Sequence, residues 1–157
     1  MSAVESPRRT KFEKLYAVFD QFHLELAKVP DDRAAKLCSN WQLVKQNYHE
    51  LLGKVQPSKL ATGLEQGLRE LPIVIESIAP EYQEQASEAL RIALRTEYPD
   101  FLDGEKVRLA KIIQRGKIRG EAEYYLVRFH IDLLEGDATH NSDLAMLYKL
   151  ADQFEEL

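Results

Sequence analysis

Cysteine, glycine and long apolar runs are all scarce in this chain, and each scarcity excludes something. One cysteine, Cys38, among 157 residues cannot close an internal disulfide or build a cysteine-rich zinc site. Only seven glycines occur, and no Asn-Gly or Asp-Gly step separates alternating apolar runs, so hairpins are not expected. The longest core-like apolar run, Leu71 to Ile75, contains Pro72 and falls far short of the ~20 residues that span a bilayer. Met1 to Arg9 carries Pro7, Arg8 and Arg9 with no apolar segment behind them, unlike a secretory signal. The signatures Gly-x-Ser-x-Gly, Gly-x-x-x-x-Gly-Lys-Ser/Thr and Gly-x-Gly-x-x-Gly are missing too, which removes the commonest nucleophile and nucleotide motifs. A soluble, reduced, cytoplasmic domain with no membrane contact is the expectation.

What remains is 45% hydrophobic and 30% charged, with a net charge of −5. That composition builds a core and excludes disorder, and the length suits one domain. Prolines punctuate the chain, and the pieces between them carry a helical period. Phe12, Leu15, Phe19, Phe22, Leu26 and Val29 define a first helix over 10–29, stopped by Pro30. Asp31 or Asp32 caps a second, whose stripe runs through Ala34, Leu37, Trp41, Val44, Tyr48, Leu51 and Leu52. So short a connection makes the two an antiparallel hairpin. A third helix starts at Pro57 and is ended or kinked by Pro72, with 73–78 left open. Further helices are predicted over about 80–97, 104–115, 121–135 and 141–154.

The expected fold is therefore all-α: a single-domain bundle of six or seven helices over 10–157, with residues 1–9 as a flexible arm. The helix near 121–135 stands out. Glu121, Arg128, Asp132 and Glu135 share a narrow polar wedge, and most of the remaining circumference is apolar. Such a helix is surrounded by protein, as the central helix of the bundle or through partial cover by another chain, which would make a homo-oligomer.

Two polar residues interrupt that apolar circumference, Glu123 and His130, on one face and about 10 Å apart along the axis. They are the candidate catalytic pair if the protein is an enzyme; the structural alternative gives Glu123 an arginine partner. Asp20-x-x-His23 and Asp137-x-x-His140 place possible metal ligands one turn apart, but no Glu-x-x-His occurs, so neither metal nor cofactor is expected. Gly63 and Gly67 on the third helix admit a neighbouring helix or mark an irregularity. Cys38 reads as a small core residue.

Charge supplies the strongest feature outside the core. Lys106, Arg108, Lys111, Arg115, Lys117 and Arg119 fall in a stretch without one acid, whereas 120–157 holds nine acids and two bases. Arg108, Lys111 and Arg115 share one side of their helix, and Lys117 and Arg119 extend the patch into the next loop. Three readings follow: pairing with acids of neighbouring helices, contact with nucleic acid, or docking of a charged protein partner. A nucleic-acid role as a helix-turn-helix is opposed by Glu121 and Glu123 at the start of the would-be recognition helix. The favoured expectation is a non-enzymatic protein-interaction module, a small acidic inhibitor, immunity-like or adaptor protein, whose contact residues are Arg108, Lys111, Arg115, Lys117 and Arg119. A regulatory nucleic-acid binder is the alternative, and a helical enzyme or metal protein using Glu123 and His130 the second.

Overall fold

The computed structural model of the chain describes residues 9–134 and 141–156, the side chains of 132–134 and 141–143 excepted. Seven α-helices lie among them and no strand: α1 (Lys11–Leu26), α2 (Asp32–Leu51), α3 (Pro57–Ile75), α4 (Pro80–Glu97), α5 (Asp100–Arg115), α6 (Glu121–Leu134) and α7 (Asn141–Glu155). The all-α bundle is as expected. Expectations that rest on residues 1–8, on the side chain of Asp132, and on Glu135, Asp137 and His140 fall outside the described residues.

Local chemistry sets most of the boundaries. Thr10 opens α1 with a capping box: its hydroxyl accepts the Glu13 N–H at 3.1 Å, and the Glu13 carboxylate accepts the Thr10 N–H at 2.8 Å. Arg9, just before it, is tied to α4 through the Glu97 carboxylate at 2.9 Å and the Glu97 carbonyl at 2.6 Å. Asp31 is the cap of α2, accepting the Ala34 N–H at 3.0 Å. Pro57 and Pro80 occupy first-turn positions, where a missing N–H costs nothing.

Two helix boundaries differ from expectation, and the open end of the third helix is decided. α1 ends at Leu26, not near Val29, because the residue before Pro30 is disfavoured in the helical region. Tighter Lys28 N–H to Glu25 and Val29 N–H to Leu26 bonds close the last turn instead. Pro72 does not end α3, which continues to Ile75 with Pro72 buried inside it; the proline forfeits its own hydrogen bond, and tertiary packing holds the helix. α5 begins at Asp100, four residues before Gly104. Burial of Phe101 outweighs the ~1 kcal/mol that an interior glycine costs.

The hairpin of α1 and α2 is antiparallel: Phe12 faces Tyr48, Asp20 reaches Trp41 and Lys45, and Cys38 lies against His23. Among the described residues α2 packs substantially on α1 alone, so its buried strip is narrow. Ala34 and Trp41 are buried, whereas Val44, Leu51 and Leu52 of the expected stripe are 37%, 37% and 42% exposed.

The other side of α1 packs on α3 and α4. Gly67 lies at that contact, where a Cβ would stand 3.4 Å from the Phe19 ring, at ordinary van der Waals distance.

Buried side chains form two clusters. The larger draws on α1 to α4; the smaller joins Leu109 and Ile112 of α5, Ile118, Leu126 and Val127 of α6, and Leu147 and Leu150 of α7. Phe101 and Phe129 belong to the larger and meet edge to face at 5.9 Å. Thus α6 has one face in each cluster and packs against α3, α4, α5 and α7. Its apolar circumference is covered within the chain over the described residues. No described helix is long and apolar enough to cross a membrane.

Candidate functional site: a basic groove between α5 and α6

α5 closes on Gly116, whose φ of 78° is the left-handed conformation that glycine adopts without strain. Its N–H caps the Ile112 and Ile113 carbonyls. From the last turn, Arg115 folds back over this corner. Its Nε donates to the Lys117 carbonyl at 3.0 Å and its Nη2 donates to the Glu123 carboxylate. The same Glu123 oxygen accepts the Arg119 backbone N–H at 2.7 Å. Burial alone would raise the Glu123 pKa, but the Arg115 guanidinium and the Arg119 N–H outweigh it and hold the carboxyl below its usual range. Glu123 has the arginine partner that its position requires, and it clasps the end of α5 to the start of α6.

Beside this clasp runs a groove of about 230 Å³, lined by Arg69, Arg108, Lys111 and Arg115, by the apolar side chains of Ile112, Ala122 and Leu126, and by Glu123. The structure thus gathers three of the five expected contact residues and adds Arg69 from α3. Lys117 and Arg119 are exposed in the following loop and do not line the groove.

The four cations differ in how they are held. Arg69 grips Glu105 with both ends of its guanidinium, at 2.8 and 3.2 Å, and reaches Glu65 at 3.1 Å. Lys11 closes on the other Glu65 oxygen. Lys11, Glu65, Arg69 and Glu105 therefore form a line of alternating charge across α1, α3 and α5, and Glu105 is only 3% exposed. Burial works against an ionised Glu65, yet Lys11 and Arg69 hold its pKa below the usual range. Arg108 touches this line weakly, 3.7 Å from Glu105, with its side chain 60% exposed. Lys111 is exposed and has no carboxylate at ion-pair distance among the described residues. Two cations are fixed; Arg108 is held only by its 3.7 Å contact with Glu105, and Lys111 has no carboxylate partner among the described residues.

His130 lies apart from the clasp. It is buried, its Nε2 has no hydrogen-bond partner among the described residues, and the Phe129 ring stands edge-on to it. Burial pushes its pKa down to about 4; Glu105 opposes this, while Lys106 and Arg69 add to it. Glu123 and His130 share no partner. Neither of the two presents an uncommitted acid or base to the groove.

The residues of the Asp20–His23 step are already engaged. Asp20 accepts from Trp41 Nε1 at 3.0 Å and Lys45 Nζ at 2.9 Å, and His23 bonds the Phe19 carbonyl and stacks on Trp41. No group of three or more potential metal ligands is found among the described residues. Cys38 is half-buried with its Sγ 3.4 Å from the His23 carbonyl, and burial raises its pKa.

Sequence reasoning missed Arg69 and Glu105. The Glu65–Arg69 step is visible as an i,i+4 pair, but the Arg69–Glu105 contact joins residues 36 apart and leaves no local trace. It also missed a larger cleft of about 550 Å³ whose lining includes Glu76, Glu84, Asp152, Glu155 and Arg128. At ~100° per residue, Arg128 and Ile131 lie on the side of α6 away from Ala122, Glu123 and Leu126. The basic groove and the acidic cleft therefore flank α6 on opposite sides. Comparison of the chain with family models, curated proteins and solved structures finds no match in any of the three.

Proposed function

We propose that this protein is a non-enzymatic interaction module that docks an acidic surface of a protein partner in the α5–α6 groove, as a small inhibitor or adaptor does. One observation carries the reading. Arg108 and Lys111 stand exposed one turn apart above the apolar Ile112 and Leu126, while Arg69 and Arg115 are fixed beside them by Glu105 and Glu123. Fixed cations maintain the positive field and exposed ones meet the partner, an arrangement that raises association rates and selects for complementary charge. Of the apolar lining, Ala122 is exposed, whereas Ile112 and Leu126 are already buried.

Nucleic acid fits the groove less well. Arg108 and Lys111, with Lys117 and Arg119 beyond the groove, offer at most about four phosphate contacts, against the 6–10 of a typical strongly salt-dependent binder. Glu123 lines the same groove, and the chain as a whole carries −5.

The experiment is capture from nuclease-treated lysate with wild-type protein and with the R108E/K111E double variant. A discrete protein held by the wild type and lost by the variant, with unchanged circular dichroism, is the expected result. Recovery of the same protein by both removes the groove from the reading.

A further inference from the structure

We propose that the group this groove reads on its partner is a phosphoryl dianion, carried on a phosphorylated hydroxyl side chain of that protein and received by Arg69, Arg108, Lys111 and Arg115. The inference rests on the docking function above and names the chemistry of what docks.

Charge balance is the first argument. Arg115 is matched by Glu123, Arg69 by Glu105 and Lys11 by Glu65. Arg108 has only its 3.7 Å contact with that same Glu105, and Lys111 has no carboxylate partner among the described residues. Two positive charges at one groove therefore remain unmatched. A phosphomonoester brings close to two negative charges at neutral pH, whereas a carboxylate or a backbone phosphodiester brings one.

Donor geometry is the second. Arg69 spends Nε and Nη2 on Glu105 and Glu65, and Arg115 spends Nε and Nη2 on the Lys117 carbonyl and Glu123. Neither Nη1 group has an acceptor among the described residues. The one buried side-chain polar atom without a partner there is His130 Nε2, so both Nη1 groups reach solvent. Held along their other edges, these guanidiniums offer donors that lose little further side-chain freedom on binding. With Arg108 and Lys111 they bring four cationic side chains from α3 and α5 to one groove. A planar carboxylate has two acceptor oxygens; a phosphoryl group has three and takes donors from several directions.

Size is the third. The groove holds about 230 Å³, below the roughly 300–1,000 Å³ of pockets that enclose a whole small molecule. It suits a headgroup whose carrier stays outside, as the side chain of a docked protein does. Glu123 in the lining opposes any anion, but Arg115 and the Arg119 N–H already hold its charge.

The test uses the full chain and three labelled peptides of equal length, followed by fluorescence anisotropy. They carry phosphoserine, glutamate or serine at one central position between glycines and alanines. The phosphoserine peptide is expected to bind about tenfold more tightly than the glutamate one, and the serine peptide should not bind. R108E/K111E should weaken phosphoserine binding at least about tenfold. Lowering the pH from about 7.5 to about 5.5 adds a proton to the phosphoryl group, whose second pKa is about 6, and should weaken that peptide but not the glutamate one. Phosphatase treatment of the lysate should abolish capture by the wild type. Equal binding of the phosphoserine and glutamate peptides, or capture that survives phosphatase, overturns the phosphoryl group; the docking function still stands if R108E/K111E loses its captured protein. Retained capture by that variant overturns both.

Discussion

Arg115 and Glu123 hold each other across the corner between α5 and α6, and the Arg119 N–H completes the clasp on the same carboxylate oxygen. The pair is a quarter exposed on each side, at 25% and 29%, so it is neither a free surface pair nor a buried one. A double-mutant cycle with Arg115→Ala and Glu123→Ala should return a coupling of about 1 kcal/mol, at the upper edge of exposed ion pairs. Chemical denaturation of the four proteins measures it. A coupling near zero means the corner is set by Gly116 and by packing alone.

The Arg69–Glu105 pair should behave differently, because both ends are mostly buried, with side chains 12% and 4% exposed. Glu105→Gln leaves the Arg69 charge without its main partner and should cost about 3 kcal/mol or more. Replacing both with apolar residues of similar volume, Arg69→Met with Glu105→Leu, should recover most of that loss. Urea midpoints of the single and double variants decide it.

His130 ties stability to pH. In the unfolded chain its imidazole takes up a proton as pH falls below about 6.5; in the fold burial delays this to about 4. Between those values the unfolded state binds more protons, so stability falls as pH drops from 6.5 towards 4 and is fully present above 6.5. The gap amounts to roughly 3 kcal/mol in all, about 2 of it by pH 5. Glu105, Lys106 and Arg69 are the charged groups that act on the ring. His130→Leu removes an unpaired buried nitrogen and should be no less stable than wild type at pH 7. It should also lose much less stability between pH 7 and pH 5. A wild-type loss matched by His130→Leu assigns the pH dependence to other groups.

The two glycines of α3 should separate. A Cβ at Gly63 meets nothing within 4 Å, so Gly63→Ala should stabilise by about 0.5–1 kcal/mol through helix propensity. At Gly67 the Phe19 ring is 3.4 Å from the added carbon: alanine just fits, and Gly67→Leu should destabilise by about 1–3 kcal/mol by forcing α1 away. Thermal melts of the three variants test this ordering.

Much of this architecture is legible in the sequence because its causes are local. Prolines at helix starts, Asp31 as a cap and the three- and four-residue steps of α1, α4 and α6 all act within a turn or two. What was not legible depends on neighbours. Pro72 sits inside α3, and Gly104 inside α5, because packing outweighs propensity at both. The exposed Val44, Leu51 and Leu52 carry an apolar period, but α2 has too few neighbours to bury them. At the groove, the charge run named Arg108, Lys111 and Arg115, while only the fold adds Arg69 and distinguishes Arg115, held by Glu123, from Lys111, which has no ion-pair partner among the described residues.

Docking through Arg108 and Lys111 is most directly tested by photo-crosslinking from the groove itself. A benzophenone-bearing residue in place of Ala122, which lines the groove and is exposed, would react with whatever lies there. The account predicts one discrete protein adduct in cells, unaffected by nuclease and absent when R108E/K111E is added to the same chain. An adduct that survives those charge reversals, or one made only of nucleic acid, would contradict it.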